Sequence, residues 1–236
     1  MAISSRVSFF IKHLTVSVCI ALLIVAVVFF IWYPAPLAKA EGVSSIFLML
    51  LIIDVILGPL LSLLIYKEGK KTLKMDLSII ILVQIVALSY GIYAIAQSRP
   101  AWIVQSGWLF EVVPANAIDR EDQLQTQSPY HRNGWLKPQW VAVDDTENPH
   151  NSLAAPHLMT STFNHMSYAD QRLKQYSQPL ITLLQFNEQQ IVESVLNKTS
   201  KAKYWMPLRT SGVGLTVLLD EHYRVLKVVD LRPWQE

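Results

Sequence analysis

The chain has 236 residues, of which 52% are hydrophobic and only 16% charged, with a mean hydropathy of +0.30, too apolar for an ordinary water-soluble domain. The formal net charge is +2, and residues 101–236 carry 12 Lys+Arg against 14 Asp+Glu, a balance that does not suggest a nucleic-acid surface. The single cysteine, Cys19, excludes a disulfide framework.

The apolar excess lies before Arg99. Residues 14–33, LTVSVCIALLIVAVVFFIWY, hold no charge over twenty positions, the length a helix needs to cross about 30 Å of hydrocarbon. A second predicted span covers about 43–66, interrupted only by Asp54. A third covers about 77–96, with Gln84 its most polar interior residue. After Pro100 no stretch is long and apolar enough to cross a bilayer. The expected organisation is an amino-terminal segment 1–13, a three-helix transmembrane region 14–98 and a folded domain 99–236.

Lysine and arginine near span ends resist translocation and so set orientation. Arg6, Lys12, Lys67, Lys70, Lys71 and Lys74 fall on one side, and Lys39 and Arg99 on the other. The expected topology places the amino terminus in the cytoplasm and, after three spans, the carboxy-terminal domain outside, in the periplasm of a Gram-negative cell. Ala38-Lys39-Ala40 imitates a signal-peptide cleavage site, but twenty apolar residues exceed the roughly 7–15 of a signal h-region, which favours an uncleaved anchor.

Asp54 sits at the middle of the second span, where a carboxyl group costs about 2.5–3.5 kcal/mol to insert. Pro59 has no N–H to give the Val55 carbonyl, so the helix is expected to kink or open beside the acid. Asp54, Gly58 and Ser62 follow at i, i+4 and i+8, and Ser44 falls near the same stripe. Small residues at this spacing admit a neighbouring helix. Two readings follow: an intrabundle partner for the acid, with Gln84 or Tyr90 the candidates, or a dock for an incoming helix. An ion pathway fits less well, since three spans offer one acid.

In the remainder of the chain, Trp102-Ile103-Val104 and Phe110 to Val113 read as strands about a turn at Ser106-Gly107, and Leu215 to Leu219 and Val225 to Val229 as a second hairpin. Residues 117–160, with Pro129, Pro138, Pro149 and Pro156, read as irregular loop. Helices are expected near 167–177 and 187–198. The fold class is therefore membrane α-helical, three transmembrane helices, followed by a small α+β periplasmic domain. Nucleophile-elbow, zincin, P-loop and dinucleotide motifs are missing. His150, His157 and His165 lack the i, i+4 spacing of a helical zinc site, and Asp144-Asp145 reads as a solvated loop pair. No catalytic residue, cofactor or metal is expected.

The set Tyr33-Pro34-Ala35-Pro36-Leu37, Gly42-Val43, Asp54 with Gly58-Pro59-Leu60, Asp76-Leu77, Gln84, Tyr90-Gly91, Arg99-Pro100, Phe110-Glu111-Val112-Val113, Tyr204-Trp205-Met206-Pro207-Leu208 and Pro233-Trp234 resembles the TfpX/TfpZ type IV pilin accessory proteins. The likeness is strongest over residues 30–115. It implies a non-enzymatic, chaperone-like protein of the bacterial inner membrane, serving a cognate type IV major pilin and modulating pilus assembly or retraction. It also implies partners in that pilin, the pilus assembly machinery and membrane lipid. On that reading, Ser44, Asp54, Gly58, Pro59 and Ser62 form the dock for the pilin helix, while the exported domain meets the pilin head. The chain is not itself expected to be a pilin, since it lacks the processing signature of such subunits. The alternatives are a membrane enzyme that modifies pilin and a membrane-anchored scaffold or sensor. The cytoplasmic segments are too short for an output domain, which weighs against a sensor.

Overall fold

The structure, a computed structural model, describes residues 4–125, 129–130, 132, 134–144 and 155–235. Two compact units emerge, one formed by residues 1–31 with 43–97 and the other by 32–42 with 98–236.

The first unit is a helical bundle. Helix α1 runs over Ser5–Ala26 and continues as a π-helical stretch, Val27–Trp32. Pro34 then stops it, because proline disfavours helical geometry at the residue before it. A short helix α2, Leu37–Ala40, precedes Gly42, whose φ of +68° turns the chain into α3, Val43–Ile65. Helix α4, Leu73–Ser98, follows the Lys-rich turn. Asp76 in its first turn accepts from Thr72 Oγ1 at 3.1 Å and pairs with Lys70 at 2.6 Å, placing negative charge at the positive end of the helix dipole.

Three helices are thus long and apolar enough to cross a membrane: Ser5–Trp32, Val43–Ile65 and Leu73–Ser98. Large apolar side chains cover their outer faces, among them Leu23, Phe30, Leu64 and Val83 at 66%, 75%, 71% and 62% exposure. Such a surface calls for lipid. Helices α1 and α3 pack antiparallel, with Phe9 against Tyr66 and Phe29 against Phe47 at ring separations of 5.6 and 5.9 Å. Helix α4 meets α3 through two glycines. Gly58 lies under the Gln84 side chain, and Gly91 admits Leu50. The proline does not interrupt α3, which is helical throughout.

The second unit holds a mixed sheet. Strands β1, Pro100–Ser106, and β2, Leu109–Pro114, form the predicted hairpin about Gly107, φ +57°. Helix α5, Arg120–Gln125, leads to β3, Gln139–Val143, which pairs parallel with β1. Strand β4, Phe163–Asn164, closes that edge. Helix α6, Asp170–Tyr176, the two-residue β5, Gln178–Pro179, and helix α7, Gln189–Asn197, precede a meander of β6, Tyr204–Arg209, β7, Leu215–Leu219, and β8, Val225–Val229. The strand order is β4-β3-β1-β2-β6-β7-β8, with β5 beside β6.

Parallel pairing of Phe110 with Leu208 joins the first and last segments into one sheet, as the sequence leads one to expect. Strands β3 and β6 were not expected. Pro207 obscures β6, yet it falls between the ladder to β5, which ends at Trp205, and the ladder to β2, which begins at Leu208. A strand tolerates a residue without an N–H in such a gap.

Alternation along the strands makes two cores. Ile103, Phe110, Met206, Leu208, Leu215 and Val217 face α6 and, from the segment between the first two spans, Leu37 and Ala40 of α2. On the opposite face, Trp102, Val104, Val141 and Phe163 gather toward one edge, while Leu183, Val192, Trp205 and Leu218 gather under α7.

Candidate functional site

The polar centre of the bundle is built around α3. Asp54 is half-buried and lines two cavities. One, of about 380 Å³, is walled by α1, α3 and α4 and includes Lys12, His13, Ser17 and Gln84. The other, about 360 Å³, lies between α3 and α4 and is apolar apart from Asp54 and Gln84.

Gln84 does not take the Asp54 carboxylate. Its Nε2 donates to the Asp54 backbone carbonyl at 3.1 Å, and its buried Oε1 has no hydrogen-bond partner. A Cβ at position 58 would come within 1.9 Å of that same Nε2, so glycine there creates the space the amide occupies. Tyr90, the other candidate partner, is 73% exposed.

One turn on, Ser62 Oγ donates to the Gly58 carbonyl at 3.0 Å and lies 2.8 Å from His13 Nδ1. A hydroxyl has one proton, so the histidine nitrogen is the donor in that second bond, which fixes its proton on Nδ1. Gln84 of α4 thus reaches an α3 backbone carbonyl directly, while His13 of α1 meets the Ser62 hydroxyl that caps the Gly58 carbonyl just before Pro59. Of the predicted docking residues, Gly58, Pro59 and Ser62 are buried, and α4 and α1 themselves cover Gly58 and Ser62. Asp54 opens to the cavities, and Ser44 lies nearly three helical turns away, half-buried.

His13 was not among the predicted residues. The signal available was a histidine at the edge of the first span, with Asp54 and Ser62 among the polar residues of the next helix.

The second unit has a polar node of its own, where the segment 32–42 enters the sheet domain. Lys39 pairs with Asp230 at 2.7 Å, and the Ala40 carbonyl accepts from Val213 N at 3.0 Å. Ser211 Oγ donates to Glu41. Tyr33 and Arg99 are 2% and 3% exposed. Burial, and then the charge of Glu41, push the Tyr33 phenol far above its ordinary range. Burial also raises the Glu41 carboxyl, against the hydrogen bond from Ser211. At Asp230 burial acts upward too, but the hydrogen bonds from Lys39 and Arg232 outweigh it and hold the carboxyl below its ordinary value.

The remaining residues singled out from sequence serve local roles. His157 approaches Glu111 at 3.5 Å, His165 bonds Ser167, and Asp144 accepts from Asn164 at 3.3 Å. His150 and Asp145 lie outside the described residues. Among the described residues no group of three or more His, Cys, Asp or Glu is placed to hold a metal ion.

Three apolar spans, a polar seam along the second, and a mixed-sheet domain that incorporates the first interspan segment define a multi-spanning membrane protein with a folded extramembranous domain. The family profile "Fimbrial assembly protein FimB" matches residues 2–42, which cover α1 and the segment that enters the sheet domain. A fimbrial assembly protein of Dichelobacter nodosus, serogroup I, is 25% identical over 242 residues, spanning 93% of this chain and 92% of that protein. Another from the same organism, serogroups C1 and C2, is 33% identical over 119 residues, 50% of this chain and 87% of its own length. The chain belongs to the fimbrial assembly protein family. No solved structure matches it.

Proposed function

We propose that the protein acts in pilus assembly as an inner-membrane accessory protein of the TfpX/TfpZ type, holding its cognate type IV pilin before the pilin enters the fibre. The observation that carries this reading is Asp54, an acid at the middle of a span, opening to two cavities, one of them apolar apart from Asp54 and Gln84. A carboxyl group so placed is stabilised by protein rather than by acyl chains. The adjoining Gln84 Oε1 is a buried acceptor in want of a donor.

The pilin's apolar helix would lie along the α3–α4 groove and bring polar groups to this point. Either its glutamic acid shares a proton with Asp54, or a stretch of its loosened backbone donates to Asp54 and Gln84. Of the predicted stripe, Asp54 and Gly58 line this groove, while Ser62 braces α3 against α1 from the other side. The sheet domain, on the periplasmic side by the distribution of flanking cations, would meet the pilin head. No catalytic step is assigned to the chain.

The test is capture. Detergent-solubilised protein should co-purify with its pilin, and Asp54→Asn and Gly58→Leu should reduce the yield of pilin relative to the amount of the protein recovered. Undiminished capture and full piliation by both variants would remove the groove from the mechanism.

A further inference from the structure

The loop Gly134–Lys137 projects two large apolar side chains, Trp135 at 69% and Leu136 at 68% exposure, followed by an exposed Lys137. An exposed Trp-Leu pair is ordinarily a fault on a water-facing surface. Here its backbone is held firmly. Trp32 Nε1 donates to the Trp135 carbonyl at 3.0 Å, and Arg99 Nη2 donates to the Gly134 carbonyl at 3.0 Å. The Arg99 guanidinium also lies 4.7 Å from the centre of the Trp135 ring. The loop is fixed while its side chains are left outward.

The residues that fix it say where it is. Trp32 is the last residue of the first apolar helix, Ser5–Trp32, and Arg99 immediately follows the third, Leu73–Ser98. These helices have 28 and 26 residues, or about 42 and 39 Å at 1.5 Å per residue, against roughly 30 Å of hydrocarbon. Their ends therefore extend into the headgroup layer. Trp135 contacts Trp32 and Arg99, the residues at which the chain passes from these helices into the second unit.

We propose that Gly134–Lys137 is a peripheral membrane anchor of the sheet domain. Trp135 and Leu136 enter the lipid headgroup layer beside the points where the first and third spans leave the bilayer, and the Lys137 ammonium meets lipid phosphate. Tryptophan favours this depth, with an apolar ring body and a polar tip.

The experiment uses the full chain in vesicles of phosphatidylethanolamine and phosphatidylglycerol. Leu136→Cys is introduced on a Cys19→Ser background and labelled with an environment-sensitive fluorophore. The control is Ile181→Cys, equally exposed at 68% but on the segment packed with α7, whose core cluster includes none of Trp32, Arg99 or the loop 134–137. Quenching by a headgroup-proximal nitroxide lipid should be about threefold stronger at 136 than at 181, with the reverse order for aqueous iodide. Equal quenching at the two positions would overturn the proposal. So would a label at 136 that is open to iodide in pure lipid and shielded only in native membranes, since a protein partner would then be the occupant. Leu136 is 68% exposed and belongs to none of the core clusters, so its replacement should leave the fold intact, and Trp135→Phe provides a second reading through reduced quenching of native fluorescence by brominated lipid.

Discussion

The Gln84 amide lies across Gly58 and donates to the Asp54 carbonyl, tying α4 to α3 at the turn that carries the half-buried acid. The bond exists because position 58 has no side chain. A methyl there would collide with the far end of a flexible residue, not with backbone. Gly58→Ala should therefore displace the amide without separating the helices, at a loss of about 0.6–2 kcal/mol, the range for interhelical hydrogen bonds in membranes. Once Gln84→Ala has removed the amide, Gly58→Ala should add little. A thermal double-mutant cycle in detergent checks this, and additive losses would contradict it.

His13, Ser62 and the Gly58 carbonyl form a relay in which each group has one assigned role. Ser62→Ala leaves His13 Nδ1 without its acceptor, so the single substitutions His13→Ala and Ser62→Ala should destabilise the α1–α3 pair to similar extents. The double substitution should cost no more than about 1 kcal/mol beyond either one. The same detergent melts report it.

The segment 32–42 is structurally part of the sheet domain. Leu37, 3% exposed among Ile103, Phe110 and Met206, should lose about 2–4 kcal/mol on conversion to alanine. A polypeptide starting at Ser98 lacks Leu37, Ala40 and Lys39 and should be poorly folded. Adding a peptide of residues 32–42 should raise its melting temperature, whereas a fully stable fragment with no response to peptide would contradict the assignment.

Glu41 gives a signed pH dependence. Its folded value is raised above the ordinary 4.5, so its contribution to stability is fully present below 4.5 and is lost as pH rises through the folded value. Glu41→Gln, which keeps an acceptor for Ser211, should be more stable than the parent at neutral pH, with the advantage vanishing as pH falls toward 4.5. Asp230 works in the opposite sense. Held below 3.8 by Lys39 and Arg232, it contributes stability above that pH which is lost in stronger acid, and Asp230→Asn should flatten that acid limb. Chemical denaturation across pH measures both.

The three spans were legible from length and apolarity, and the hairpins β1–β2 and β7–β8 from β-rich runs about Gly107 and Asp220-Glu221-His222. Strand β3 was not, because five residues after Pro138 in a polar stretch carry too little pattern. Strand β6 was hidden by Pro207, whose tolerance depends on a gap between two ladders that form with distant segments. The Asp54-Gly58-Ser62 stripe could be read from helical spacing, but what fills it could not. Gln84 approaches from 26 residues beyond Gly58, with its amide on a backbone carbonyl, and His13 from 49 residues before Ser62. The sequence marks residues 34–42 only as the stretch between the first two expected spans, because Leu37 and Ala40 acquire their place only against the sheet.

The most direct test of the central claim is photo-crosslinking in intact cells from Leu57, which lines the α3–α4 cavity beside Asp54 while leaving the acid in place. A groove that receives the pilin helix predicts a covalent adduct with pilin that weakens in the Asp54→Asn background. Adducts with lipid alone, or a pilin adduct indifferent to Asp54, would contradict it.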